Sequence, residues 1–132
     1  MTGVQTCALP IFQREEVDQH IVGAEIDRDK LVVTESAMLG QDMATGELVL
    51  DNIEAEARQV MENIKAILIE AGADFGSVVK ASIFLKDMQD YARVNAVYGS
   101  YVTEPFPARE TIQVGALPMN VNVEISVIAV KA

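Results

Sequence analysis

The apolar residues of this chain switch between two periods, and that switching limits the folds open to it. Near the end, Val121, Val123, Ile125, Val127 and Ala129 alternate with Asn122, Glu124, Ser126 and Ile128. A period of two predicts a strand with one face in the core. Earlier, Ile53, Ala57, Val60, Met61, Ile64, Leu68 and Ala71 recur at spacings of three and four. That stripe predicts an amphipathic helix, with Glu54, Arg58, Glu62 and Lys65 largely on the other side. A chain that carries both patterns must lay helices on a sheet.

The remaining segments fill in the order. Ile21 to Ile26 and Leu31 to Met38 read as strands, and Gly40 to Gly46 as a turn holding Asp42 and Thr45. Asp51 followed by Glu54 has the form of a capping box, and Gly72 suits the position just past a helix end, so the helix is expected over about 52–71. Val78 to Leu85 reads as a strand, with Val79, Ala81, Ile83 and Leu85 inward. Asp87 can cap a second helix bearing Met88, Tyr91, Val94, Tyr98 and Val102, which Pro105 and Pro107 end. Thr111 to Val114 is a short strand, Leu117 to Asn120 a turn, and Val121 to Val130 the closing strand. The order β-β-α-β-α-β-β predicts an α+β fold: a mixed sheet with two helices on one face. Val78, Phe84, Ile128 and Val130 would then face away from the helices, so a homo-oligomer is expected to cover them.

Composition excludes several function classes. Twenty acidic residues against ten basic give a net charge of -10 over 132 residues. Phosphate binding is driven by Lys and Arg, so this balance argues against nucleic acid and against an anionic membrane surface. One Cys and one His make neither an internal disulfide nor a standard zinc site. No apolar run approaches the roughly 20 residues of a membrane span. The expectation is an acidic cytoplasmic domain without a metal.

Residues 1–11 lack both the basic start and the apolar stretch of a signal peptide. They resemble the translated read-through of a sequencing-library adaptor and are read as a non-native scar, leaving 12–132 as one domain. On that reading Cys7 carries no functional information. His20 lies among polar residues and is read as a surface residue.

Most charges, including Glu54, Glu56, Glu62, Asp87 and Asp90, fit solvated faces or caps. One stretch stands apart, from Pro105 to Pro118, followed by Val123-Glu124-Ile125. Arg109 is the only base between Arg93 and Lys131. Period-two geometry puts Arg109, Thr111 and Gln113 on one face and Glu110 on the other. An Arg and a Glu rising from adjacent strands would make a small pocket. The guanidinium can clamp a carboxylate through two parallel bonds, and Glu can orient or deprotonate a water. A structural Arg–Glu ion pair accounts for the spacing equally well.

The run P-A-R-x-x-I-x-x-G-x-L-x5-V-E-I, Pro107 to Ile125, closely resembles the signature of the RidA/YjgF family of enamine/imine deaminases. The resemblance extends upstream through Phe84–Tyr91, Val94–Tyr98, Ala57–Ile67 and the Thr45-Gly46 turn, covering roughly residues 31–131. It implies a chorismate-mutase-like homotrimer with ligand pockets between subunits. It implies hydrolysis of 2-enamine or 2-imine acids to 2-keto acids and ammonia, with no cofactor. In that scheme Arg109 clamps the substrate carboxylate and Glu124 positions the water and passes protons. Thr111, Ser36, Ala37 and Asn95 complete the substrate-binding set.

The chain departs from the family pattern in three places. A Gly-Pro-Tyr motif is absent from residues 12–36, where Gly23 falls nearest its place. Ser-Gly-Gln on the second strand appears as Ser36-Ala37-Met38. Glu110 stands where a small residue is usual. A non-catalytic member that binds small carboxylates, or acts as a holdase, is therefore kept as the alternative. The RNA-cleaving activity described for some members ranks below both, given the charge balance.

Overall fold

The computed structural model describes residues 22–27 and 32–130, with side chains from residue 39 onward. Residues 1–11, with Cys7, and His20 lie outside the described residues. Five strands and two helices follow in the expected order: β1 (Val22–Asp27), β2 (Val32–Met38), α1 (Ile53–Glu70), β3 (Val78–Leu85), α2 (Tyr91–Gly99), β4 (Ala108–Gln113) and β5 (Val123–Val130). The sheet order is β1-β2-β5-β3-β4. All pairings are antiparallel except β3 with β4. Parallel neighbours need a crossover, and α2 supplies it.

Helix α1 buries Ile53, Ala57, Val60, Met61, Ile64, Ile67 and Leu68. They pack with Val94, Val97 and Tyr98 of α2 against Ala81, Ile83 and Leu85 of β3 and Val123, Ile125, Val127 and Ala129 of β5. Both helices thus cover one face of the sheet. Each fully buried aliphatic side chain contributes about 1.5–3 kcal/mol relative to exposure. The helix cap is Asn52 rather than Asp51: the Asn52 side chain accepts from the Ala55 N–H at 2.7 Å. At the other end Gly72 adopts φ 76°, and the next N–H, of Ala73, reaches back to the Leu68 carbonyl at 2.7 Å. This is the left-handed stop expected of Gly.

Four expectations need correcting. Val78 is buried and Val79 exposed, the reverse of the alternation read from sequence. The register slips between Val78, opposite Ala129, and Lys80, opposite Ile128. Val79 is the extra residue of a bulge, which resets the parity of the strand. Asp87 caps a short 3₁₀ turn, Met88–Asp90, that leads into α2, and α2 ends at Gly99, well before Pro105. Strand β4 begins at Ala108, since Pro107 has no N–H to offer a ladder. Strand β5 begins at Val123, because the Asn122 N–H is taken by a side chain of α1.

Away from the helices, the sheet presents Phe84, Ile112, Ile128 and Val130. Ile112, Ile128 and Val130 are 38–44% exposed in the single chain. Among the described residues no helix is long and apolar enough to cross a membrane.

Candidate active site

Arg109 is the second residue of β4, the edge strand, and lies opposite Ala81 of β3. Ala81 faces the helices, so Arg109 does too. There α2 meets it with one face. Tyr91, Asn95 and Tyr98 are four and three residues apart and share a side of the helix. The guanidinium donates to Tyr91 Oη at 2.8 Å and to Asn95 Oδ1. Its centre lies 5.2 Å from the Tyr98 ring centroid and 5.6 Å from that of Tyr91. A cation between aromatic faces is held by the ring quadrupoles. Arg109 is therefore fixed in place, while the rest of its planar fork has no partner among the described residues.

That fork borders a cavity of about 380 Å³, lined by Asn95, Tyr98, Gly99, Val102, Phe106, Pro107 and Arg109. A lining that combines one positive charge with Val102, Phe106 and Pro107 suits a small anion with an apolar body. Two buried hydroxyls nearby, Tyr98 Oη and Thr111 Oγ1, have no hydrogen-bond partner among the described residues. Burial pushes the Tyr98 phenol up, and Arg109 offsets part of that.

Glu124 lies elsewhere. It is opposite Phe84 on β5, while its neighbours Val123 and Ile125 face the core. Its carboxylate therefore rises from the helix-free face of the sheet. Strand β3 separates β5 from β4. The pocket expected between Arg109 and Glu124 on adjacent strands does not form within one chain: the strands are not neighbours and the side chains point to opposite faces. The two residues are not an ion pair within the chain either. Burial raises the Glu124 carboxyl above the usual carboxylate range, and one of its oxygens is buried with no partner among the described residues.

The other expected site residues divide. Asn95 and Arg109 meet on the helix side and line the cavity; Thr111, opposite Ile83, shares that face of β4 but is not part of the cavity lining. Ser36 and Ala37 belong to β2, where Ser36 pairs with Val22 and side chains are outside the described part. Glu110 points away from Arg109, as alternation requires, accepting from Ser82 Oγ at 2.9 Å with Lys80 Nζ at 3.7 Å. The sequence reading missed Tyr91 and Tyr98 as partners of Arg109. It took them only for core positions, although their helical spacing with Asn95 could have exposed them. Glu56, taken for a solvated charge, is fully buried. Among the described residues no three His, Cys, Asp or Glu side chains group to hold a metal.

The comparisons decide the family. A family model described as Endoribonuclease L-PSP matches residues 24–131. A 2-iminobutanoate/2-iminopropanoate deaminase of Salmonella typhimurium is 42% identical over 109 residues, covering 80% of this chain and 84% of its own. The crystal structure of the YjgF gene product of E. coli superposes with a TM-score of 0.74 at 37% identity, over 81% of this chain and 85% of that one. The chain belongs to the RidA/YjgF family. Another relative, Protein DfrA of Myxococcus xanthus, is 48% identical over 106 residues and 80% of each chain. The part matched by the family model contains Ser36, Ala37, Asn95, Arg109, Thr111 and Glu124.

Proposed function

We propose that the protein hydrolyses reactive 2-enamine and 2-imine acids to 2-keto acids and ammonia. The observation that carries this is Arg109: a guanidinium held by Asn95 and Tyr91 that still has donors to offer and lines a cavity. A planar fork of this kind suits a carboxylate. The imino-acid deaminase among its relatives gives that carboxylate its chemical setting.

The reaction adds water to the imine carbon and expels the nitrogen. An enamine first takes a proton at its β-carbon and loses one from nitrogen, giving the imine. A new C–O bond then forms, both protons of the water pass in turn from oxygen to nitrogen, and the C–N bond breaks as the carbonyl forms, releasing ammonia. The imine carbon is already electrophilic, so no metal or organic cofactor is required. Arg109 would hold the substrate carboxylate, with Thr111 and Asn95 beside it. Glu124 would position the water and carry the proton; a carboxyl raised by burial exchanges protons closer to neutrality than an ordinary one.

Since Arg109 and Glu124 are on opposite faces of one sheet, this scheme needs a second copy. A homotrimer, with each pocket between subunits, would bring the Glu124 face of one copy to the Arg109 edge of the next. It would also cover Ile112, Ile128 and Val130. The test couples an amino-acid oxidase, which generates the imine, to a measurement of keto-acid release. Acceleration of that release above the spontaneous rate is expected, and its absence counts against catalysis. In that event calorimetry with 2-keto acids distinguishes the second reading, a non-catalytic carboxylate binder, which the missing Tyr and the Ala37 substitution favour.

A further inference from the structure

Glu56 is a buried carboxylate outside the cavity and outside the proposed chemistry. A buried charge must be met by donors. Three meet it, all from the two residues that precede Glu124. The Asn122 N–H donates at 2.7 Å, the Asn122 side-chain amide at 2.9 Å and the Val123 N–H at 3.3 Å. From the other side the Asn122 carbonyl accepts from the Lys86 N–H at 3.0 Å. Asn122 is thus tied by its N–H, its side chain and its carbonyl.

The packing leaves Glu56 little room to move. A Cβ on Gly40 would stand 3.0 Å from both Glu56 Cγ and the Glu56 carbonyl oxygen. Two turns along the same helix, Asn63 donates to the carbonyls of Leu39 at 2.9 Å and Gln41 at 2.8 Å. Helix α1 therefore grips the segment after Ser36 and Ala37 with one side chain and the segment before Glu124 with another.

We propose that Glu56 is a positioning residue for Glu124, acting through Asn122 and Val123 to fix where β5 begins and so where the Glu124 carboxylate rises from the sheet. This rests on the deaminase reading for its catalytic consequence, though not for the placement itself. A glutamine at position 56 keeps the shape. It presents one acceptor oxygen, with an NH₂ where the second oxygen accepted, so at least one of the bonds to Asn122 and Val123 must be lost.

The test uses the full chain with Glu56→Gln. Keto-acid release is measured against substrate concentration, and the Glu124 carboxyl is titrated by carbon-13 NMR. A fall in kcat of about 10-fold or more with KM within about twofold is expected, because water and proton handling would suffer while the carboxylate clamp stays intact. The Glu124 titration midpoint should move as well. Should Glu56→Gln fail to fold, Asn122→Ala removes one of the three bonds, leaves the charge, and is read the same way. An unchanged kcat per folded molecule together with an unchanged Glu124 titration overturns the proposal. If the wild-type chain does not accelerate keto-acid release, the deaminase reading fails and the Glu124 titration alone decides the role of Glu56.

Discussion

Arg109 and Glu124 stand on opposite faces of one sheet, on strands separated by β3. Arg109 faces α2 and its tyrosines; Glu124 faces the side no helix covers. Any chemistry that needs both must bring two copies of the chain together. This relationship ties the uncovered apolar face to the catalytic scheme: the surface that asks for a partner is the surface that carries the Glu.

Arg109→Ala should cost a few kcal/mol of transition-state stabilisation, or roughly 100-fold or more in kcat/KM. Arg109→Lys keeps the charge but loses the fork, so it should recover only part of that. Steady-state kinetics in the coupled assay check this. Full activity in Arg109→Ala would remove the clamp from the mechanism.

Glu124 should leave a mark on the pH dependence of stability. Burial raises its carboxyl in the folded state, so the folded chain holds that proton to a higher pH than the unfolded chain. Its contribution is complete below the unfolded value and is lost as pH rises through the folded value. Glu124→Gln should flatten that fall in denaturant melts taken from acid towards neutral pH. Wild-type and variant curves of equal slope would contradict it.

Tyr101 donates to Glu62 at 2.6 Å. Its phenol is pushed up to about 12, by burial first and then by that bond and the negative charge. Ultraviolet titration should show two of the three tyrosines, Tyr98 and Tyr101, ionising later than an ordinary phenol, and Tyr101→Phe should remove one of those late steps. The sign follows from a raised folded value: stability drawn from this group is present below about 10 and lost as pH climbs towards 12.

Asn52→Ala should lower stability by about 1 kcal/mol, since it removes the acceptor of the Ala55 N–H. Asp51→Ala should change it by less than about 0.5 kcal/mol. Thermal melts of the two variants separate them, and the reverse order would return the cap to Asp51.

The order of elements was legible because period two and period three-to-four are backbone properties. The α1 stripe and the β5 alternation report burial directly. Parity across a bulge is not legible in that way: Val78 and Val79 are both apolar, and only the slip against β5 says which one enters the core. Two adjacent polar residues able to cap a helix, Asp51 and Asn52, likewise cannot be ranked without geometry. Arg109 was visible as a lone base in an acidic stretch, and its facing was correct. Its separation from Glu124 was not visible, because β5 inserts beside β3 on the side away from β4, and chain order alone does not reveal that. Glu56 was hidden for a related reason: a charge on a helix reads as solvated until the loop that feeds it donors is in place.

The uncovered face gives a simple assembly test. Ile128→Asp places a charge among apolar residues expected to meet another copy, and should shift the chain towards the 14.3 kDa monomer in sedimentation. An unchanged assembly would place the interface elsewhere.

The most direct test of a site shared between copies is complementation. Arg109→Ala and Glu124→Gln chains are each prepared alone, dissociated together and reassembled. If each site takes Arg109 from one copy and Glu124 from another, random mixing rebuilds intact sites at about a quarter of the interfaces, and keto-acid release returns where neither variant alone supports it. A mixed assembly no more active than its inactive parents would contradict the account.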